Sequence, residues 1–232
     1  MDLNALKISD APLLIHANAV LVANELNVSV FNQLWLVKNG IVAEEDFGPG
    51  MIISQAAVVI PARKFLLTVL PDRVQLQPKG EFADGTAIST VFGKLLSLLP
   101  HTPFMALGFN FSLVFGPRDT AAFGGWNRRC FSAPVLERLA LNEENKPCFG
   151  AYFSYDDAGF RAKIDIKPGP AVQFPNVVEA GYPKEAQVMI AGFNFHRDLP
   201  ADNAAGVALE LLPKWAQLFE RAHEIAVTLC AE

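Results

Sequence analysis

One nine-residue segment occurs twice in this chain. Residues 104–112 read Phe-Met-Ala-Leu-Gly-Phe-Asn-Phe-Ser and residues 188–196 read Val-Met-Ile-Ala-Gly-Phe-Asn-Phe-His, so Met, Gly and Phe-Asn-Phe recur at an offset of 84 positions. Side chains alternate across a strand. Met105, Leu107, Phe109, Phe111, Leu113 and Phe115 therefore fall on one face, and Phe104, Ala106, Gly108, Asn110 and Ser112 on the other. In the second copy Met189, Ala191, Phe193 and Phe195 repeat the apolar face, while Gly192, Asn194 and His196 repeat the small and polar one. The Phe-rich face calls for a core. Glycine inside a strand costs stability and marks a place where another backbone or a ligand comes close, so the Gly/Asn face is the one to examine for function. The competing reading is structural: each Gly admits a packed helix, and each Asn is hydrogen-bonded locally.

The rest of the chain supplies partners for such strands. Leu13–Ala23, with its continuous apolar centre, predicts a strand internal to a sheet. Asn27 or Ser29 is placed to cap a short helix carrying Phe31, Leu34 and Trp35, stopped at Lys38-Asn39-Gly40. Between Met51 and Pro78, turn signals at Pro61-Ala62-Arg63 and Pro71-Asp72-Arg73 divide three β-rich segments of an antiparallel meander. Asp84 or Thr86 caps a helix whose apolar stripe runs Ile88, Val91, Phe92, Leu95, Leu99 up to Pro100. The Gly-rich stretch 117–129 reads as a loop joining two possible halves, 1–116 and 130–232, of a single α+β domain spanning 1–232. A short helix is predicted from Ser132 to Leu141. Cys148–Tyr155 and Phe160–Lys167 form a hairpin around Asp156-Asp157-Ala158-Gly159. Pro168–Pro183 reads as a loop. Asp202 or Asn203 caps a long C-terminal helix with the stripe Leu209, Leu212, Trp215, Phe219, Ala222, Ala226 and Leu229, bent at Pro213. The fold class expected is α+β: a mainly antiparallel sheet with helices packed on one face, and the halves related as pseudo-repeats.

Composition narrows the classes of function. A hydrophobic content of 51% against 19% charged residues, with mean hydropathy +0.25, is apolar for a water-soluble chain and points to an extensive core or a self-association surface. Net charge is −5, which gives no electrostatic footprint for nucleic acid or an anionic membrane. Trp126-Asn127-Arg128-Arg129 is a local basic run, read as a solvated loop with an aromatic anchor. The N-terminus has no signal-peptide pattern, and no apolar run approaches the ~20 residues of a membrane helix. Three cysteines without a Cys-x-x-Cys fit a reducing compartment. A cytoplasmic location is expected.

Chemistry-bearing motifs are few. His196-Arg197-Asp198-Leu199-Pro200-Ala201-Asp202-Asn203 matches the letters of a protein-kinase catalytic loop, but Asp46-Phe47-Gly48 stands far before it rather than after it, and no Gly-rich loop with its lysine is present. The match is a coincidence; a strand end, a turn and a helix cap account for the same residues. Glu220-x-x-His223 lacks the second pair and further carboxylates of a di-metal site. No P-loop, nucleophile elbow or Cys/His metal framework occurs, so no metal or cofactor is expected. The candidate ligand-binding residues are Asn110, Ser112, Asn194 and His196 on the Gly/Asn face, with Arg197 and Asp198 at its rim. The expectation is a non-enzymatic binding or assembly protein that acts through protein–protein contacts, with a homo-oligomer or another protein as partner. Its alternative is a small-molecule-binding protein or enzyme using that polar strip.

Overall fold

The computed structural model describes residues 11–80, 85–131 and 148–230. Its strands are β1 (Leu13–Ala23), β2 (Ile52–Ile53), β3 (Val58–Ile60), β4 (Phe65–Leu70), β5 (Arg73–Pro78), β6 (Phe104–Phe115), β7 (Ala151–Asp157), β8 (Phe160–Pro170) and β9 (Gln187–Asp198). They form one antiparallel sheet of nine strands in the order β2-β3-β4-β5-β1-β6-β9-β8-β7. The two copies of the repeated segment lie side by side in β6 and β9. They pair about their asparagines: Asn110 stands opposite Asn194, Phe109 opposite Phe195, and Phe111 opposite Phe193. Each copy thus lies against the other.

Among the described residues, the Phe face is covered by the helices α2 (Thr86–Leu98), α5 (Ala204–Leu211) and α6 (Lys214–Cys230), the other described helices being α1 (Gln33–Lys38), α3 (Phe123–Phe131) and α4 (Pro175–Glu179). Trp215 is the keystone of this layer. Its ring stands 5.5 Å from Phe109 and 4.7 Å from Phe111, and Phe219 packs 5.5 Å from Phe111. Burying each such ring is worth about 1.5–3 kcal/mol. On α6 the buried residues Trp215, Leu218, Ala222 and Ala226 repeat at helical spacing, so the stripe faces the sheet and the polar side faces water. Pro213 does more than bend this helix. It falls between α5 and α6, because its missing N–H and its ring against the preceding turn interrupt the ladder.

Several local expectations are revised. The meander has four strands, β2 to β5, rather than three. Asn32, not Asn27 or Ser29, caps α1, accepting from Trp35 N–H at 3.0 Å; Asn27 instead accepts from Ser29 N–H within a short 3-10 turn. The stretch 117–129 is partly helical. Phe123 and Trp126 bury against Phe115 and one another, and Asn127 is fully buried, its side chain bonded to both the N–H and C=O of Phe149. The basic run is therefore a helix with a buried inner side, because the aromatic rings outweigh the glycines that suggested a loop. Pro168–Pro183 is also structured: β8 continues to Pro170, followed by a 3-10 turn and α4. There Ala171, Val177, Tyr182 and Ala186 pack with Val114 and Val188 into a small second core. Asp84 and the helix predicted at 132–141 lie outside the described residues.

Gly85 precedes α2 in the left-handed region at φ 60°, where the chain turns beneath Trp215. A Cβ there would stand 2.6 Å from Trp215 Cδ1. Two penalties then coincide, a strained backbone and a steric clash on the keystone ring. Gly85→Ala is expected to lower stability by about 2–4 kcal/mol in denaturant unfolding, with a change in tryptophan fluorescence in the folded state.

Candidate functional site on the uncovered sheet face

Among the described residues, no helix lies over the middle of the opposite face of the sheet. A single row crosses all nine strands there: Ile52, Val59, Thr68, Gln75, Val20, Gly108, His196, Arg161 and Asp156 stand in successive register. α4 and the neighbouring 3-10 turn bound the face at one end, where the small second core lies. Towards β8 the face becomes charged with Arg161, Lys163, Asp165 and Lys167; towards β4 it carries Leu66 and Thr68. At its centre Asn110, Ser112, Gly192 and Asn194 are half-buried, while Asn18 and Gly108 are buried.

Next to that row runs a ladder of amides. Asn18, Asn110 and Asn194 stand in register on β1, β6 and β9. Asn194 Nδ2 donates to Asn110 Oδ1 at 2.7 Å, and Asn110 Nδ2 donates to Asn18 Oδ1 at 2.7 Å. Asn18 Nδ2 then donates to His16 Nε2 at 2.6 Å. Because an amide NH2 only donates, Nε2 of His16 must be the acceptor, and the ring is held neutral with its proton on Nδ1. Burial works in the same direction and pushes the His16 pKa below its ordinary value of 6.5. All three amide dipoles point the same way, from Asn194 towards the histidine. Lys163 stands in register beyond Asn194, at the head of the ladder.

The candidates named from the sequence separate accordingly. Asn110 and Asn194 are joined in the ladder; Ser112 lies between His16 and Gly192 in the neighbouring row. His196 and Asp198 face the same way, His196 Nε2 lying 2.9 Å from Asp198 Oδ1. With Asp156, Gly159, Phe160, Arg161 and Arg197 they border an open cleft of about 430 Å³, in which Arg161 pairs with Asp156 at 3.2 Å. Arg197 alternates to the helix side and donates to Gly159 O on the β7–β8 turn at 2.9 Å, so it is tied to the hairpin rather than to the strip. His16 and Asn18 were missed. Their signal was present as two polar residues at i and i+2 inside the apolar run of β1, which places both on one face. The kinase-like letters lie in the end of β9 and the turn after it, and Asn203 precedes α5 without a side-chain cap bond.

No family model, curated protein or solved structure matches the chain. What the face can do is therefore read from its geometry. Among the described residues no three His, Cys, Asp or Glu side chains are grouped to hold a metal ion, and no helix is long and apolar enough to cross a membrane. His223 of the Glu220-x-x-His223 pair lies against the Phe219 ring at 6.4 Å.

Among the described residues, nothing packs tightly over the glycines of the face. A Cβ on Gly108 would meet its nearest atom, Asn194 Nδ2, at 3.8 Å, and one on Gly192 would meet Asp165 O at 3.8 Å. Both distances are ordinary contacts. Among the described residues no helix packs within contact of either Gly, while the local hydrogen bonds that the structural reading gives each Asn are present at Asn110 and Asn194.

Two outcomes follow from the ladder. Asn110→Ala removes two of its three bonds and strands the Asn18 carbonyl and the Asn194 amide, so a loss of about 1–3 kcal/mol in unfolding free energy is expected. His16 is neutral when folded and has its ordinary affinity for protons when unfolded. As pH falls through 6.5 the unfolded chain takes up the proton first, so stability held above that pH declines below it, until the lowered folded-state pKa is reached. His16→Gln should flatten this part of the stability–pH curve, and the His16 ring resonances should titrate below 6.5.

Proposed function

We propose that the chain is a non-enzymatic, cytoplasmic binding protein whose uncovered sheet face receives a protein partner. The observation that carries this reading is the pair Gly108 and Gly192. A strand glycine lowers stability by about 0.5–1 kcal/mol relative to alanine, and neither position needs glycine for backbone conformation or for packing against the described residues. What glycine does there is keep the face low on either side of the amide ladder. A partner lying flat across β1, β6 and β9 would meet backbone and amide groups instead of side-chain bulk. The amides hold one another in fixed orientation while keeping a second N–H each, which suits a polar, hydrogen-bonding surface. Small-molecule sites are concave and mostly apolar, whereas this surface is broad and half-wet.

A second reading is favoured by the cleft beside His196. There a small polar ligand would displace the Asp198 or Asp156 pairings, and the chain would be a small-molecule-binding protein or an enzyme. The two readings separate by substitution. Gly108→Ala and Gly192→Ala should each raise stability by about 0.5–1 kcal/mol. Gly108→Arg should leave the chain folded, by circular dichroism and melting temperature, yet abolish recovery of a protein partner that the unmodified chain recovers from cell extract. Recovery unchanged by Gly108→Arg but lost with a substitution on the outer side of α6, such as Glu224→Arg, would overturn the face reading. Loss of a small-ligand thermal shift on His196→Ala would establish the second reading in its place.

A further inference from the structure

The two edges of the sheet are unlike. β2 is two residues long, the kind of short edge that offers little to pair with. β7 is seven residues long, pairs with β8 over its whole length without a register shift, and contains no Pro and no Lys. Its outer row of N–H and C=O groups has no partner among the described residues. On the helix side, the core row Ala17, Phe111, Phe193, Ile164 runs across the sheet and ends on β7 at Phe153, which is 48% exposed. On the other side Tyr152 is 63% exposed. An apolar core row that runs into water at an unpaired strand is an incomplete arrangement.

We infer that β7 pairs antiparallel with β7 of a second copy of this chain, about a two-fold axis at Ser154, joining the two sheets into one. The choice of occupant comes from the strand's own sequence. Centring on Ser154 pairs all seven residues, since 154 is the midpoint of 151–157. It sets Phe153 beside Tyr155 of the second copy, both on the helix side, so that the core row of one subunit continues into that of the other. A two-fold makes this contact twice. It also sets Tyr152 beside Asp156, and Ala151 beside Asp157, of the second copy. The carboxylates Asp156 and Asp157, already held within the chain by Arg161 and Arg221, thereby stay at opposite ends of the ladder. Parallel pairing in register would stack all four together. The contact proper, the outer backbone row and the Phe153–Tyr155 pair on the helix side, lies off the open face, of which Tyr152, Ser154 and Asp156 form only the outermost edge, so a failure of this inference leaves the binding role of the centre of that face untouched.

Sedimentation equilibrium at micromolar concentration should show a dimer. Phe153→Lys should weaken it by roughly tenfold or more, since two aromatic cross-strand pairs are lost per dimer, while circular dichroism and melting temperature stay close to those of the unmodified chain. Ser154→Cys should give a covalent dimer on mild oxidation, above the background of the native cysteines and above that of Glu224→Cys. A monomer at these concentrations overturns the inference. So does a dimer that Phe153→Lys leaves intact and that Ser154→Cys does not trap.

Discussion

Everything in this fold depends on the register between β6 and β9. A slip of one residue in a strand pair turns every side chain to the other face, and here both faces forbid it. On the helix side a slip would withdraw Phe109, Phe111, Phe193 and Phe195 from beneath Trp215 and Phe219 and present Gly, Asn and Ser to the core. On the open side it would break the Asn194–Asn110 bond and, with it, the ladder that ends at His16. The aromatic layer supplies most of the burial; the amides add direction. Together they hold the two central strands, from which the meander extends on one side through β1 and the β7–β8 hairpin on the other.

The helix layer and the uncovered face are consequences of one sequence pattern with two outputs. Phe at alternate positions requires a cover, and α5 and α6 supply it because Pro213 lets the C-terminal segment change direction and bring Trp215 over β6. The positions in between hold Gly, Asn, Ser and His. Had they been apolar, the sheet would have needed a second buried layer. At one end they are apolar, with Val114, Val188 and Ile190, and there α4 and its turn close over them.

Much of this was legible in the chain. The alternation from Leu107 to Phe115 identified both faces, and the stripe from Leu212 to Ala226 identified the helix that covers them; at the start of β6 the expectation fails, since Met105 is 46% exposed and Phe104 is buried in the main core, where a register shift against Val22 and Ala23 breaks the alternation. The adjacency of the two copies was not legible, since pairing partners are chosen by the whole topology and not by local period. Nor was α3, where Gly124 and Gly125 argued for a loop and tertiary burial of Trp126 and Asn127 decided otherwise. Among the candidate residues, Asn110 and Asn194 come together because the antiparallel register of β6 and β9 centres on this pair. Arg197 does not join them, because adjacent residues of a strand point to opposite sides. His16 and Asn18 were hidden by the apolar residues around them, although their spacing by two carried the same alternation.

The polarity of the open face also bears on where this apolar-rich chain can associate with itself. Two copies meeting face to face would bring amide against amide and Lys163 near its own counterpart, desolvating groups already paired within the chain, which is costly unless each finds a new partner. The β7 edge has the opposite character. Its outward backbone groups gain partners by pairing, and Phe153 gains cover. The same alternation that keeps the centre of the sheet wet therefore leaves the aromatic edge as the surface where burial and hydrogen bonding favour the same contact.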